Sequence, residues 1–152
     1  MSNATSGAVA SIVLRRTLAA SRERVFAAWT QPGQMKQWYA TEHHSIPEVQ
    51  IDLRVGGAYR IAFEPKDGSE TLYVRGTFSE VRSPERLQFT WGWEEDDPSL
   101  EHETLMTVDF FERDNGTELV LTHDNFIDPA SRDRHQEGWS VILDNLVTYL
   151  VR

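Results

Sequence analysis

Residues 128–152 read DPASRDRHQEGWSVILDNLVTYLVR, and their periodicity organises the rest of the chain. His135, Trp139, Ile142, Leu143, Leu146 and Leu150 recur at three- and four-residue steps, so they share one face of a helix. Arg134, Glu137, Asp144, Asn145 and Thr148 fall on the other side, with Val141 as the apolar misfit. Asp128 is an N-cap acceptor and Pro129 is pre-set for the first turn. About 20 helical residues make a rod of roughly 30 Å, apolar along one side. Such a rod needs a partner surface of similar length. Gly138 interrupts the stripe at a cost of about 1 kcal/mol against Ala. Either a neighbouring backbone approaches it closely, or it leaves a gap beside Trp139 that a ligand fills.

The remainder of the chain supplies strands. Residues 9–19 read as a first strand. Ser21 caps a short helix carrying Val25, Phe26 and Trp29, and Pro32 opens a second through Met35 and Trp38. Alternation then marks strands at 46–53 and 58–64, joined across Arg54-Val55-Gly56-Gly57, and a further one at 72–81. Leu87, Phe89, Trp91 and Trp93 alternate with polar residues in the clearest strand of the chain, and Glu94 to Asp97 make an acidic loop. Strands at 103–113 and 117–124 flank Asp114-Asn115-Gly116, a hairpin signal. The order is one strand, two short helices, six strands in hairpin succession and one long helix. This predicts an α+β fold in which an antiparallel meander offers its apolar concave face to the last helix.

Composition narrows the function. A chain of 152 residues without Cys is expected to form one domain, at residues 9–152, behind a disordered tail at 1–8. No apolar run approaches a membrane span and no signal-peptide pattern opens the chain, which suits the cytoplasm. A net charge of −9 argues against nucleic-acid and anionic-membrane partners. Five Trp, seven Phe and four Tyr crowd one side of the strands, making either a packed core or the wall of an apolar pocket. The adjacent His43 and His44 read as a solvated loop, because neighbours in extended chain rarely point at one metal.

Several motifs carry a family resemblance: Arg24-Val25-Phe26-Ala27-Ala28-Trp29, Asp52-Leu53-Arg54-Val55-Gly56-Gly57, Pro84-Glu85-Arg86-Leu87-Gln88-Phe89-Thr90-Trp91 and His135-Gln136-Glu137-Gly138-Trp139. With Gly116 to Leu119 and Leu121 to His123, they run in order over nearly the whole chain. The chain resembles the helix-grip superfamily (START-like, or SRPBCC), in the branch named for homologues of the activator of the heat-shock-protein ATPase. The resemblance implies a curved antiparallel sheet wrapped around the long C-terminal helix, two short helices after the first strand, and a cavity between sheet and helix. It also implies a link to stress response. The superfamily holds lipid carriers, cyclases and co-chaperone domains, so fold alone does not fix function. The eukaryotic activators carry a separate N-terminal chaperone-binding domain, whereas about eight residues precede the first strand here.

The expected ligand site joins Trp38, Phe63, Phe78, Trp91, Trp93, Met106, His123, His135, Trp139 and Leu143. Its expected occupant is a small apolar or aromatic molecule. A chaperone or other protein partner, and a homodimer, are further readings. Catalysis as a cyclase or hydrolase would fall to His123 or His135, but no nucleophile, phosphate loop or dinucleotide fingerprint accompanies them. Two His with no convincing third ligand make a weak case for zinc. No cofactor or metal is expected.

Overall fold

The computed structural model describes residues 11–151. The expected tail and the opening of the first strand, including Val9, lie outside these residues. The elements run β1 (Ile12–Leu18), α1 (Arg22–Thr30), α2 (Pro32–Trp38), β2 (His44–Ser45), β3 (Val49–Ile51), β4 (Ala58–Pro65), β5 (Leu72–Arg82), β6 (Arg86–Trp93), a 3₁₀ turn (Pro98–Leu100), β7 (Thr104–Arg113), β8 (Gly116–Asp124) and α3 (Pro129–Leu150). Among the described residues the fold is α+β: an open, eight-stranded antiparallel sheet with three α-helices, the last one long. Strand order is β1-β8-β7-β6-β5-β4-β2, with β3 also paired to β4.

The meander from β4 to β8 follows the alternation. Tyr59, Ile61 and Phe63 on β4, Val74 and Phe78 on β5, and Phe89 and Trp91 on β6 turn inward and are buried. Asp114 and Asn115 form the two-residue turn between the paired Arg113 and Gly116, whose φ of +143° suits Gly. The strand expected at 46–53 is corrected to the three residues of β3; the two-residue β2 comes before it, and both are laid against β4. Pro47 lies between them and has no N–H to give the ladder.

α3 forms as its pattern requires. The Asp128 carboxylate accepts from the backbone N–H of Ser131 at 2.7 Å, and Pro129 occupies the first turn. Trp139, Ile142, Leu143, Leu146 and Leu150 are buried while Val141 is exposed. Each buried side chain of that size contributes about 1.5–3 kcal/mol. Polar ties set the helix position. Arg16 on β1 donates to the Ser140 hydroxyl (3.0 Å) and pairs with Asp144 (3.0 Å). The Asn145 amide donates to the carbonyl of Ala40, just beyond α2, at 2.8 Å.

Between α3 and the sheet lies a continuous aromatic core. Trp29 meets Trp38 edge-on at 4.9 Å between ring centres, and Trp139 meets Tyr39 at 5.6 Å and Trp91 at 5.1 Å. Edge and tilted contacts of this kind use the ring quadrupoles favourably.

Candidate functional site

Along the N-terminal half of α3, two indole–imidazole pairs join the helix to the sheet. Trp139 on α3 donates its Nε1–H to Nδ1 of His123 on β8 at 3.1 Å. That nitrogen therefore carries a lone pair, and the neutral ring holds its proton on Nε2. Nε2–H donates to Thr104 Oγ1 at 2.5 Å, and the Thr104 hydroxyl donates onward to the Trp91 carbonyl at 2.8 Å. The second pair runs in the opposite direction. Trp93 on β6 donates to His135 Nε2 at 3.0 Å, so His135 Nδ1–H donates to the Ser131 carbonyl at 2.8 Å. Both rings are satisfied only when neutral.

Burial pushes His123 well below the usual imidazole range, and the nearby His135 adds to the shift. His135 is lowered too, chiefly by burial, with its bond to the Ser131 carbonyl opposing. No ring nitrogen is left over to take a proton from a substrate. The arrangement is that of a wall, not of a general base.

In front of these pairs lies a recess of about 100 Å³, lined by Trp91, Trp93, Thr104, Phe126 and His135 and rimmed by Leu100 and Ile127. The two rim residues are exposed, at 66% and 69%, so the recess opens to solvent. Local chemistry builds it. Asn125 adopts a left-handed backbone (φ +72°), which Asn tolerates better than most side chains. Its amide donates to the Glu103 carbonyl at 3.0 Å, and its own carbonyl accepts from His102 Nε2 at 2.6 Å. The turn tucks Phe126 against His123, with ring centres 4.4 Å apart. On the facing side, Gly92 lets the 94–103 segment return closely over β6. A Cβ there would come 3.1 Å from the His102 carbonyl oxygen.

The ten residues expected to line one cavity are not gathered around one. Trp91, Trp93 and His135 line the recess, and His123 and Trp139 stand directly behind it. Met106 pairs with His123 in the sheet register and is fully buried, as is Leu143. Trp38 packs against Trp29 and gives its N–H to the Ala28 carbonyl at 3.0 Å. Phe63 touches Trp93 at 5.2 Å, and Phe78 borders a separate void of only about 20 Å³ with Tyr59 and Phe89. The interior is largely filled by its own rings. Gly138 approaches no neighbouring backbone, since a Cβ there would meet only Thr41 Cγ2 at 3.9 Å, and it does not border the recess.

Thr104 and Phe126 escaped the sequence reading. Thr104 continues the inward alternation of Met106 and Val108 by one step, a signal that was present. Phe126 is a lone aromatic in a turn, where no period applies.

Two other concavities lie at the surface. The larger, about 820 Å³, spreads over the outer face of β4, β5 and β6. Its two arginines are already paired, Arg60 with Glu94 and Arg75 with Glu101, each at 2.7 Å. The other, about 450 Å³, includes His43 and His44. His44 Nδ1 is bonded to the Thr41 hydroxyl at 2.8 Å. No cluster of three or more metal-ligating side chains occurs among the described residues. No described helix is long and apolar enough to cross a membrane.

Residues 19–151 match the family model described as Activator of Hsp90 ATPase homolog 1-like protein. The solution structure of an AHSA1-like protein from Aeromonas hydrophila is 30% identical, with a TM-score of 0.76, covering 91% of this chain and 90% of that one. The crystal structure of the AHSA1 protein from Silicibacter pomeroyi is 28% identical, with a TM-score of 0.80 and coverage of 93% and 98%. A protein from Chromobacterium violaceum shares the fold at 24% identity, with a TM-score of 0.82 and coverage of 92% and 96%. No curated protein matches the chain.

Proposed function

This chain belongs to the family of Activator of Hsp90 ATPase homolog 1-like proteins, and we propose that it binds a small, largely apolar molecule in the recess bounded by Trp91, Trp93, Phe126 and His135. The observation that carries this reading is an aromatic-walled recess that opens to solvent and reaches the buried core. Apolar walls with few polar groups are the usual form of a small-molecule site. Catalysis by His123 or His135 is disfavoured, because all four ring nitrogens are already engaged. The occupant is smaller than the ten-residue cavity expected from the sequence would have admitted.

Native mass spectrometry of freshly purified protein would reveal a co-purified small molecule. Titration with an apolar fluorescent dye supplies the residue test. Phe126→Ala and Trp93→Ala should each weaken binding about tenfold, the ratio that corresponds to 1.4 kcal/mol of lost contact. Unchanged affinity in both variants would count against the recess.

A second reading, docking to a chaperone, is suggested by the family's name and favoured by the broad outer-face concavity with its alternating Arg and Glu side chains. It predicts that Arg75→Glu abolishes capture of a purified Hsp90-type chaperone while dye binding persists.

A further inference from the structure

Of the residues that line the recess, His135 ties its sides together. Its Nε2 accepts the Trp93 indole N–H at 3.0 Å, and its ring packs against Phe126 with centres 5.0 Å apart. Trp93 ends β6 and Phe126 follows β8, so one imidazole on α3 holds walls from two strands that are not neighbours in the sheet. The direction of its bonds is fixed. An indole nitrogen only donates, and His135 Nδ1 already gives its proton to the Ser131 carbonyl at 2.8 Å. Protonation therefore puts an N–H on Nε2, facing the Trp93 N–H. Two donors at that separation repel, and one of them must move away. His123 makes a similar bond with Trp139 but is fully buried behind the recess. His135 lines the space that opens to solvent, which gives a proton a path to it.

Resting on the recess being a binding site, we propose that His135 is a pH-sensitive latch: neutral, it holds the Trp93 and Phe126 walls in place around an uncharged apolar ligand, and protonated, it lets go of Trp93 and the ligand leaves. Burial opposes the charge on His135 most strongly, the Ser131 carbonyl favours it, and Arg134 on the same helix opposes it. On β8, His123 stands 6.2 Å away between ring centres, its two nitrogens held by Trp139 and Thr104. On this side β6 presents the uncharged rings of Trp91 and Trp93, and the 94–103 segment adds Glu95 and His102. Asp128, at the start of α3, is engaged on the Ser131 N–H. Ligand and proton then compete. Affinity falls as the pH drops through the titration of His135, by at most about tenfold per pH unit for one proton, and the ligand in turn lowers the pH at which His135 titrates.

The test follows ¹⁵N-labelled protein by NMR in steps from pH 7.5 to pH 5.0, with and without cyclohexanone, an uncharged ring that does not itself titrate in this range. Wild-type affinity should drop by about threefold or more, with the amide spectrum still that of a folded chain. In the ligand-free protein the Trp93 indole N–H should shift in step with the His135 ring nitrogens. The ratio of affinities at the two ends is the readout for the variants. His135→Gln keeps an acceptor for Trp93 and has no charge to gain, so its ratio should be close to one. Trp93→Phe, which removes the opposing donor, should flatten the drop as well, and His102→Gln should keep it. An unchanged wild-type affinity, or an equal drop in His135→Gln, would overturn the latch while leaving the site in place. A drop abolished by His102→Gln alone would overturn it in favour of that ring. Loss of the whole amide spectrum together with binding would replace it with acid unfolding. Failure of cyclohexanone to bind even at pH 7.5 would remove the site itself, whatever the Trp93 resonance does.

Discussion

His123 and His135 are held neutral by the bonds they accept from Trp139 and Trp93, and this has a consequence in solution. An unfolded chain protonates its imidazoles near pH 6.5, whereas the folded one resists until the pH is lower. Between those points the unfolded state binds more protons, so stability falls as pH drops below about 6.5. Each such imidazole adds a slope of up to about 1.4 kcal/mol per pH unit. His44, also lowered mainly by burial, contributes in the same direction. The carboxylates of Asp67, Glu94, Asp97 and Glu101 are held below their usual range by hydrogen bonds and ion pairs, so they stay ionised above about pH 4.5. Urea midpoints at pH 7.5 and pH 5.5 should differ markedly in the wild type and less in His123→Asn; an equal difference would refute the assignment. Gly138 makes a second prediction. With only an ordinary contact to Thr41 Cγ2 at its Cβ position, Gly138→Ala should stabilise the protein by up to about 1 kcal/mol, seen as a higher melting temperature. A fall would mean that the added methyl group is crowded in the folded protein. At this scale, the helical stripe made His135 and Trp139 legible. The sequence could not show that both imidazoles are spoken for, because the Trp partners lie on other elements.

Helix α3 is the element that the chain specifies most completely. Its start needs only local chemistry, the Asp128 cap and Pro129, and its buried face follows directly from the stripe. Asp128→Ala should cost about 1 kcal/mol by freeing the Ser131 N–H, measurable as a lower urea midpoint with an unchanged slope. The strands from β4 to β8 were equally readable, since alternation and turn residues agree there. The 46–53 segment was not. Its apolar residues suggested one strand of eight residues, but Pro47 cannot donate to β4, and ladder pairing is confined to Val49–Ile51, with the separate pair His44–Ser45 ahead of it. Just beyond the acidic loop comes a feature the pattern did not show, the 3₁₀ turn at Pro98–Leu100, capped by the Asp97 carboxylate on the Ser99 N–H at 3.0 Å.

For the molecule as a whole, the order of elements anticipated the sheet and the helix laid against it, while the space between them was not anticipated. Alternation tells which side chains face inward. It does not tell whether Trp29, Tyr39, Trp91 and Trp139 stand apart around a ligand or close on one another, as they do here. What stays open is the end of the interface where Asn125 turns the chain and Phe126 meets His135. The most direct test of this account is chemical-shift mapping of the labelled protein with saturating cyclohexanone. The account predicts perturbations centred on Trp91, Trp93, Phe126, Ser131 and His135, with the outer-face residues Arg60 and Arg75 unmoved. Shifts centred on Arg60 and Arg75, or none at the recess, would contradict it.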